Sequence, residues 1–330
     1  MPERALIDRL DEAVETMLRR PERASVPPDA ELATLWRVAA DLVDLPRREF
    51  RARLAEDLRR RAMGPTTAPE ASKSIGPIPE GLRSITPYLV VGGAARLIDF
   101  MKRAFGAEER LRVERADGSI QHAAVRIGDS VVELGDGLEA WPARPAAIHL
   151  YVPDADAVYA RAIEAGATSL LAPADMPYGD REGDVTDPFG NNWYIGTRRQ
   201  GGPIPAGLHT VTPTLHVEGT DGLIDFVRRA FGADELDRTV LPDGTVVHAQ
   251  LRLGDSVLEL GEARGFVSPM PCSIHYYVDD VDAAYARALE AGATSLGAPS
   301  DRPYGDRAAE VADPFGNHWF LATHVANITP

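Results

Sequence analysis

The chain has few cysteines, no long apolar run and too little positive charge, and each shortage excludes a class of protein. Its one cysteine, Cys272, permits no internal disulfide, and we expect a small buried core residue there. No stretch approaches 18 apolar residues, and Met1–Ala5 lacks the apolar segment of a signal peptide, so we expect a cytoplasmic protein without a membrane span. The net charge of −15 argues against nucleic acid and anionic membranes as partners.

What the chain does contain is a duplication. Residues 81–197 align with residues 207–323 without a gap, and 65 of the 117 positions are identical. We therefore predict one module at 81–199 and a second at 207–325, joined by a linker at 200–206. Residues 64–80 have the Pro, Ser, Thr and Gly content of another linker. Apolar residues recur at helical spacing within residues 1–63, which predicts a helical N-terminal region for self-association or partner binding.

The stretch 118–135, repeated at 244–261, reads as two strands around a Gly-Asp turn. If Ile127 lies opposite Ser130, the alternation of side chains sorts the hairpin into an apolar face and a polar face. The apolar face should pack on helices, whereas the polar face either lines a ligand cavity or is simply solvated. The polar side chains of the two copies are His122, Arg126 and Glu133, and His248, Gln250, Arg252 and Glu259.

Around this hairpin each copy reads β-α-β-β-β twice, which predicts an α+β fold. In the first copy, residues 85–91 form the opening strand, and a helix follows from residue 97 to 105. The second unit has Asp154 as the N-cap of its helix and Gly166 just beyond the helix end.

Four stretches carry a resemblance to a known family: the opening strand Ile85–Val91 with its helix, the hairpin beginning at His122, Tyr178–Arg181 with Asp187–Trp193, and Val278–Ala283 leading to Glu290–Thr294. With them the chain resembles the vicinal oxygen chelate superfamily (glyoxalase I, bleomycin-resistance proteins and extradiol dioxygenases), and most of all its PhnB-like branch. The resemblance implies two βαβββ units per copy, curled around a shared concave cavity, with metal ligands on the first and last strands of each unit.

The ligand set that the resemblance implies is incomplete in both copies. Its fourth-strand Glu is matched by Glu133 and Glu259, but Thr86 and Thr212 stand at the first-strand position, and Tyr194 and Phe320 at the last. His149 and His275 lie two residues beyond the expected fifth-strand position. We therefore expect no cofactor. A non-standard zinc, iron or manganese site remains open, built from His122, Glu133 and His149 or from His248, Glu259 and His275. The two Glu residues could also act as general bases without metal.

Aromatic and basic residues supply the other ligand-binding candidates. The aromatic candidates either line a cavity or belong to the core. The arginines either anchor an anionic group or pair with nearby carboxylates. His216 in place of Val90 predicts that the two cavities differ in polarity. The candidates are Tyr88, Tyr151, Trp193, Tyr277 and Trp319, together with Arg126, Arg181, Arg252, Arg307 and His216.

These observations favour a small-molecule-binding protein that holds an antibiotic or a metabolite in its cavities, like the resistance and sequestration members of the family. One alternative is a metal-dependent enzyme of the lyase, isomerase or dioxygenase type. Another is a sensor in which the N-terminal helices recruit a partner. Because a duplicated chain can complete its sites internally, a monomer is expected, or a homodimer if the helical region self-associates.

Overall fold

The computed structural model describes residues 76–327, except residues 140, 201, 206 and 266. The helices predicted within residues 1–63 lie outside the described residues, and so do residues 64–75 of the predicted linker. The described part is an α+β fold made of two tandem repeats, which confirms the predicted fold class. No helix in this part of the chain is long and apolar enough to cross a membrane.

Residues 76–327 contain sixteen strands and four helices in the predicted order, β-α-β-β-β repeated four times. In the first copy they are β1 (Ile85–Val91), α1 (Ala94–Phe105), β2 (Glu108–Glu114), β3 (Ile120–Ile127), β4 (Ser130–Asp136), β5 (Ala147–Tyr151), α2 (Ala155–Glu164), β6 (Thr168–Asp175), β7 (Asp180–Thr186) and β8 (Asn192–Arg198). In the second copy they are β9 (Val211–Val217), α3 (Thr220–Phe231), β10 (Asp234–Val240), β11 (Val246–Leu253), β12 (Ser256–Glu262), β13 (Ser273–Tyr277), α4 (Val281–Glu290), β14 (Thr294–Asp301), β15 (Asp306–Ala312) and β16 (His318–His324).

Local sequence accounts for the ends of the helices. The Asp154 carboxylate accepts a hydrogen bond from the Ala157 backbone N–H at 2.9 Å, which caps the first turn of α2. Beyond its end, Gly166 adopts a φ of 109°, a backbone conformation that favours glycine. Both features were predicted. α1 ends in the same way, because Gly106 has a φ of 69° and donates its N–H to the Lys102 carbonyl.

The hairpin has the predicted register. Ile127 lies opposite Ser130 and Ala124 lies opposite Glu133. Side chains on the helix-facing side, such as Ala123, Val125 and Leu134, are fully buried. The hairpin of the second copy repeats this arrangement, with Gln250 opposite Glu259. The turn and the apolar alternation therefore set the local structure as expected.

The sheets, however, join units from different copies. The first eight-stranded sheet runs β14-β15-β16-β13-β1-β4-β3-β2, and the second runs β10-β11-β12-β9-β5-β8-β7-β6. β1 pairs antiparallel with β13, and β5 pairs antiparallel with β9. The implied sharing of a cavity by the two units of one copy is therefore wrong. Each sheet instead combines one unit of the first copy with one unit of the second.

The helices pack behind the sheets and enclose a continuous apolar core. α1 contacts both the β1–β4 unit and α2, which connects the two sheets through the first copy. Trp193 and Trp319 are completely buried in this core, and they are among its largest side chains. Cys272 is also completely buried, as predicted.

Candidate functional site

Each sheet turns one face away from its helices, and these two polar faces carry most of the predicted site residues. The first polar face is defined by Tyr88, His122, Glu133, His275 and Phe320, and the second by the equivalent residues Thr214, His248, Glu259, His149 and Tyr194. Register neighbours share a face of a sheet. On the first sheet Thr86 lies opposite His275, His275 opposite Phe320, and Tyr88 opposite Glu133.

At the centre of the first polar face, Glu133 pairs with a histidine of the other copy. His275 Nδ1 donates to Glu133 Oε2 at 2.7 Å, and His122 Nε2 lies 3.7 Å from Glu133 Oε1. Burial opposes ionisation of the Glu133 carboxyl, but the neighbouring His275 outweighs it and lowers the pKa of Glu133. The same contact raises the pKa of His275 against its burial. The pair is therefore an ion pair removed from solvent.

The second polar face repeats the pair and adds another carboxylate. His149 Nδ1 donates to Glu259 Oε2 at 2.9 Å, and His149 Nε2 makes an ion-pair contact of 3.2 Å with Glu182 Oε2. Burial disfavours the charged imidazole, yet Glu259 and Glu182 outweigh it and raise the pKa of His149 to about 10. The imidazolium form of His149 suits both contacts, because both of its ring nitrogens then carry protons that face carboxylates.

The structure corrects both predicted histidine–glutamate sets. His149 does not join His122 and Glu133, since β5 belongs to the second sheet, and His275 does not join His248 and Glu259. The groups that form are His122, Glu133 and His275 on one face, and His248, Glu259 and His149 on the other. In each predicted set the side chains point in the predicted direction, but the histidine, His149 or His275, lies on the other sheet.

The residues present do not fit the divalent metal that the resemblance implies. On each polar face a threonine, a glutamate and an aromatic residue stand at three of the four ligand positions, and a histidine lies two residues beyond the fourth. Threonine and phenylalanine are poor ligands, and the glutamate and histidine are bonded to each other. Among the described residues, no group of three or more His, Cys, Asp or Glu side chains is arranged to hold a metal ion.

Aromatic side chains surround the ion pair of the first polar face. The Tyr88 ring stacks on Trp141 with centroids 5.6 Å apart, and it lies 5.2 Å from Phe320 and 5.8 Å from His122. His318 stacks on Phe320 at 4.5 Å. Trp141 and Phe320 are only half-buried, so part of this aromatic surface is open. Such a surface suits a planar apolar or heteroaromatic group.

The second polar face is more polar. The Tyr194 hydroxyl lies 2.9 Å from His216 Nε2, and burial lowers the pKa of His216 to about 4, so this imidazole is neutral. Gln250 donates to Glu259 at 3.0 Å. Burial, with a contribution from Glu182, raises the pKa of Asp184 to about 7. The two faces therefore differ in polarity, although the prediction concerned one cavity in each copy and each face combines units of both copies.

Trp193 and Trp319 do not contact either polar face, contrary to the prediction. Both project to the helix side of their strands and are fully buried. Their indole N–H groups donate to Asp187 and Asp313 at 3.0 Å. These tryptophans anchor the turn before β8 and β16 to the core.

The predicted arginines form ion pairs at the surface. Arg181 binds Asp156 on α2, and Arg307 binds Asp282 on α4, so both guanidinium groups lie on the helix side and not on a polar face. Arg126 and Arg252 lie at the edges of the polar faces. They pair with Glu108 at 2.7 Å and with Asp234 at 2.9 Å.

Tyr151 and Tyr277 support the central histidines. Each ring stacks on a histidine, with centroids 4.2 Å and 4.5 Å apart. Each hydroxyl donates to a buried aspartate, Asp180 or Asp306. Both tyrosines therefore belong to the polar faces as predicted, although their hydroxyls are already bonded.

Sequence reasoning missed three residues of these faces, namely Glu182, Trp141 and His318. The signal was the difference between the two copies, because the equivalent positions hold Ala308, Val267 and Asn192. A comparison of the copies at positions of the polar faces would have found them.

The Glyoxalase/Bleomycin resistance protein/Dioxygenase superfamily model matches residues 82–195 and 208–321. An uncharacterized protein of Mycobacterium bovis is 44% identical over 124 aligned residues, which cover 34% of this chain and 82% of the relative. An uncharacterized protein of Mycobacterium tuberculosis has the same identity, with 73% of its length covered.

Among solved structures, glyoxalase I from Zea mays is 20% identical with a TM-score of 0.55, covering 72% of this chain and 92% of the maize chain. A putative dioxygenase from Bacillus subtilis is 15% identical with a TM-score of 0.50, covering 73% and 85%. At these identities the likeness concerns the fold alone. Both repeats match the family model and pair their units into two mixed sheets, and the chain belongs to the Glyoxalase/Bleomycin resistance protein/Dioxygenase superfamily.

Proposed function

We propose that the protein binds small organic molecules on its two polar faces, as an antibiotic- or metabolite-binding member of its superfamily. The observation that carries the proposal is the Glu–His pair at the centre of each face. A divalent metal would have to break the bond of 2.7 Å between His275 and Glu133, or that of 2.9 Å between His149 and Glu259. It would gain no further strong ligand from Thr86 and Phe320, or from Thr212 and Tyr194.

The surroundings of each pair support ligand binding. The first polar face offers half-buried aromatic rings beside polar groups, the usual composition of a small-molecule site. The second offers an imidazolium, carboxylates and a neutral imidazole. Two faces with different chemistry favour two ligands, or one ligand that only one face accepts.

The rival account is an enzyme that uses the observed histidine–glutamate groups, each of which combines residues of both copies. It is favoured because Glu133 faces imidazoles on two sides. Elemental analysis of the full chain, purified without chelator or an affinity metal, separates the accounts. We expect no stoichiometric zinc, iron or manganese, and no rise in melting temperature when these metals are added. About one ion per polar face, lost in Glu133→Gln and Glu259→Gln, would overturn the proposal.

A thermal-shift screen with small organic compounds is the positive arm of the test. A compound that binds only the folded chain raises the melting temperature in proportion to its concentration relative to Kd. Hits that disappear in Glu133→Gln or Glu259→Gln, but persist in the surface variant Glu108→Gln, would assign the binding to a polar face. The PhnB-like branch, the cytoplasmic location, the domain boundaries and the oligomeric state remain predictions, as does the sensing role of the N-terminal helices.

A further inference from the structure

Three buried polar groups on the first polar face have no hydrogen-bond partner among the described residues. They are the Ser273 hydroxyl, His318 Nε2 and the Trp141 indole N–H. Ser273 is 1% exposed and His318 is 6% exposed. A buried polar group without a partner costs free energy, and so few are retained without a reason.

These three groups lie together. Ser273 on β13 is the register neighbour of both Tyr88 on β1 and His318 on β16, so the three side chains share the first polar face. Trp141 lies over them, with its ring centroid 5.3 Å from His318 and 5.6 Å from Tyr88. The nearest charge is Glu310, whose Oε2 is 3.7 Å from His318 Nε2, beyond hydrogen-bond distance.

The other polar face has unpartnered buried atoms of its own, among them Asp184 Oδ1 and His216 Nδ1, but it lacks this arrangement of polar groups beneath aromatic rings. Its equivalent residues are Ala147 for Ser273, Asn192 for His318, Val267 for Trp141 and Thr214 for Tyr88. Asn192 is already bonded, because it accepts from the Thr186 hydroxyl at 2.8 Å and its amide contacts Met270 Sδ. Both faces therefore retain unpartnered polar atoms, but only the first face combines them with the packed rings of Tyr88, Trp141 and Phe320. This coincidence is what points to a ligand.

We infer that Ser273, His318 and Trp141 form the polar anchor of a binding site for a planar heteroaromatic molecule, with Tyr88 and Phe320 as the stacking surface. The inference rests on the proposed function and names the ligand class of one face. The indole N–H can only donate, so the ligand needs an acceptor such as a ring carbonyl or ring nitrogen. The serine and histidine can each donate or accept, so a ring N–H beside that acceptor completes the match.

The test uses two probes of the same outline on the full chain: carbostyril, a bicyclic lactam with an adjacent C=O and N–H, and naphthalene, which has neither. Binding is followed by tryptophan fluorescence and calorimetry. We expect carbostyril to bind about tenfold or more tighter than naphthalene, because two or more hydrogen bonds distinguish them. In the double variant Ser273→Ala/His318→Asn, the preference should fall by about fivefold or more, because the ligand N–H loses its serine and histidine partners while the Trp141 N–H keeps its own. Naphthalene binding should persist.

These substitutions introduce the residues of the second copy, so the fold already accommodates them at equivalent positions. Trp141→Val should weaken both probes, and Asn192→Ala on the second polar face should change neither. The inference is overturned if the double variant keeps the carbostyril preference. It is also overturned if carbostyril fails to bind at millimolar concentration while other compounds stabilise the chain, an outcome that leaves the proposed function standing.

Discussion

His275 and Glu133 are 142 positions apart and belong to different copies of the repeat, yet their side chains form a buried hydrogen bond of 2.7 Å. The first prediction tests this crossed pairing. Glu133→Gln and His275→Asn should show a coupling energy of about 1–3 kcal/mol in a double-mutant cycle of unfolding. The same cycle between Glu133 and His149, which share a copy but not a sheet, should be additive. Urea unfolding measures both, and coupling to His149 instead would contradict the sheet order.

The second prediction concerns His149, whose pKa rises to about 10 because Glu259 and Glu182 outweigh its burial. A raised pKa in the folded state means that the charged imidazole stabilises the fold fully below the ordinary value of 6.5. That stability is lost as the pH rises towards 10. The difference in unfolding free energy between the natural chain and His149→Gln should therefore shrink over this interval.

Glu182→Ala provides the matched variant for His149, because Ala308 stands at the equivalent position in the second copy. Removing this carboxylate should lower the pKa of His149, as followed by NMR of a labelled imidazole. An unchanged titration would mean that Glu182 does not stabilise the cation.

The third prediction uses two glycines of the second copy. Gly254 has a φ of 61°, and a Cβ there would lie 2.1 Å from Ser84 Oγ, whereas Gly232 has a φ of 69° and nothing within 4 Å. Either Gly→Ala change costs about 1–2 kcal/mol of backbone strain. Gly254→Ala should cost about 1–3 kcal/mol more, because Ser84 must move. Chemical denaturation compares the two, and Gly254→Ala/Ser84→Gly should recover most of the excess.

The fourth prediction separates the tryptophans. Trp319→Phe removes the indole N–H that Asp313 accepts at 3.0 Å, so it should lower the unfolding free energy by about 1–3 kcal/mol. It should leave small-molecule affinity unchanged, since Trp319 faces the core. Trp141→Val should instead weaken small-molecule affinity and leave the unfolding free energy nearly unchanged. Equal losses of affinity in both variants would indicate that the core tryptophan supports the binding face.

Several features of the molecule could be predicted from neighbouring residues alone. The Gly128–Asp129 turn, the register of Ala124 with Glu133 and the N-cap at Asp154 all depend on interactions within a few positions, and all are confirmed. The direction of Glu133, His149 and Tyr88 also follows from strand alternation. The burial of Trp193 follows from the same alternation, because Trp193 precedes Tyr194 on β8 and must point to the helix side.

The sequence by itself determined the duplication, the βαβββ units and the two sides of every strand, because these depend on short-range periodicity. Only the tertiary structure decided which units share a sheet. With 65 of 117 positions identical, the copies offer nearly equivalent strand edges, so β1 could pair with β5 or with β13 on local grounds. The choice of β13 brings His275 to Glu133, and with it Ser273 and His318 to Tyr88. Long-range pairing thus fixed the composition of both polar faces.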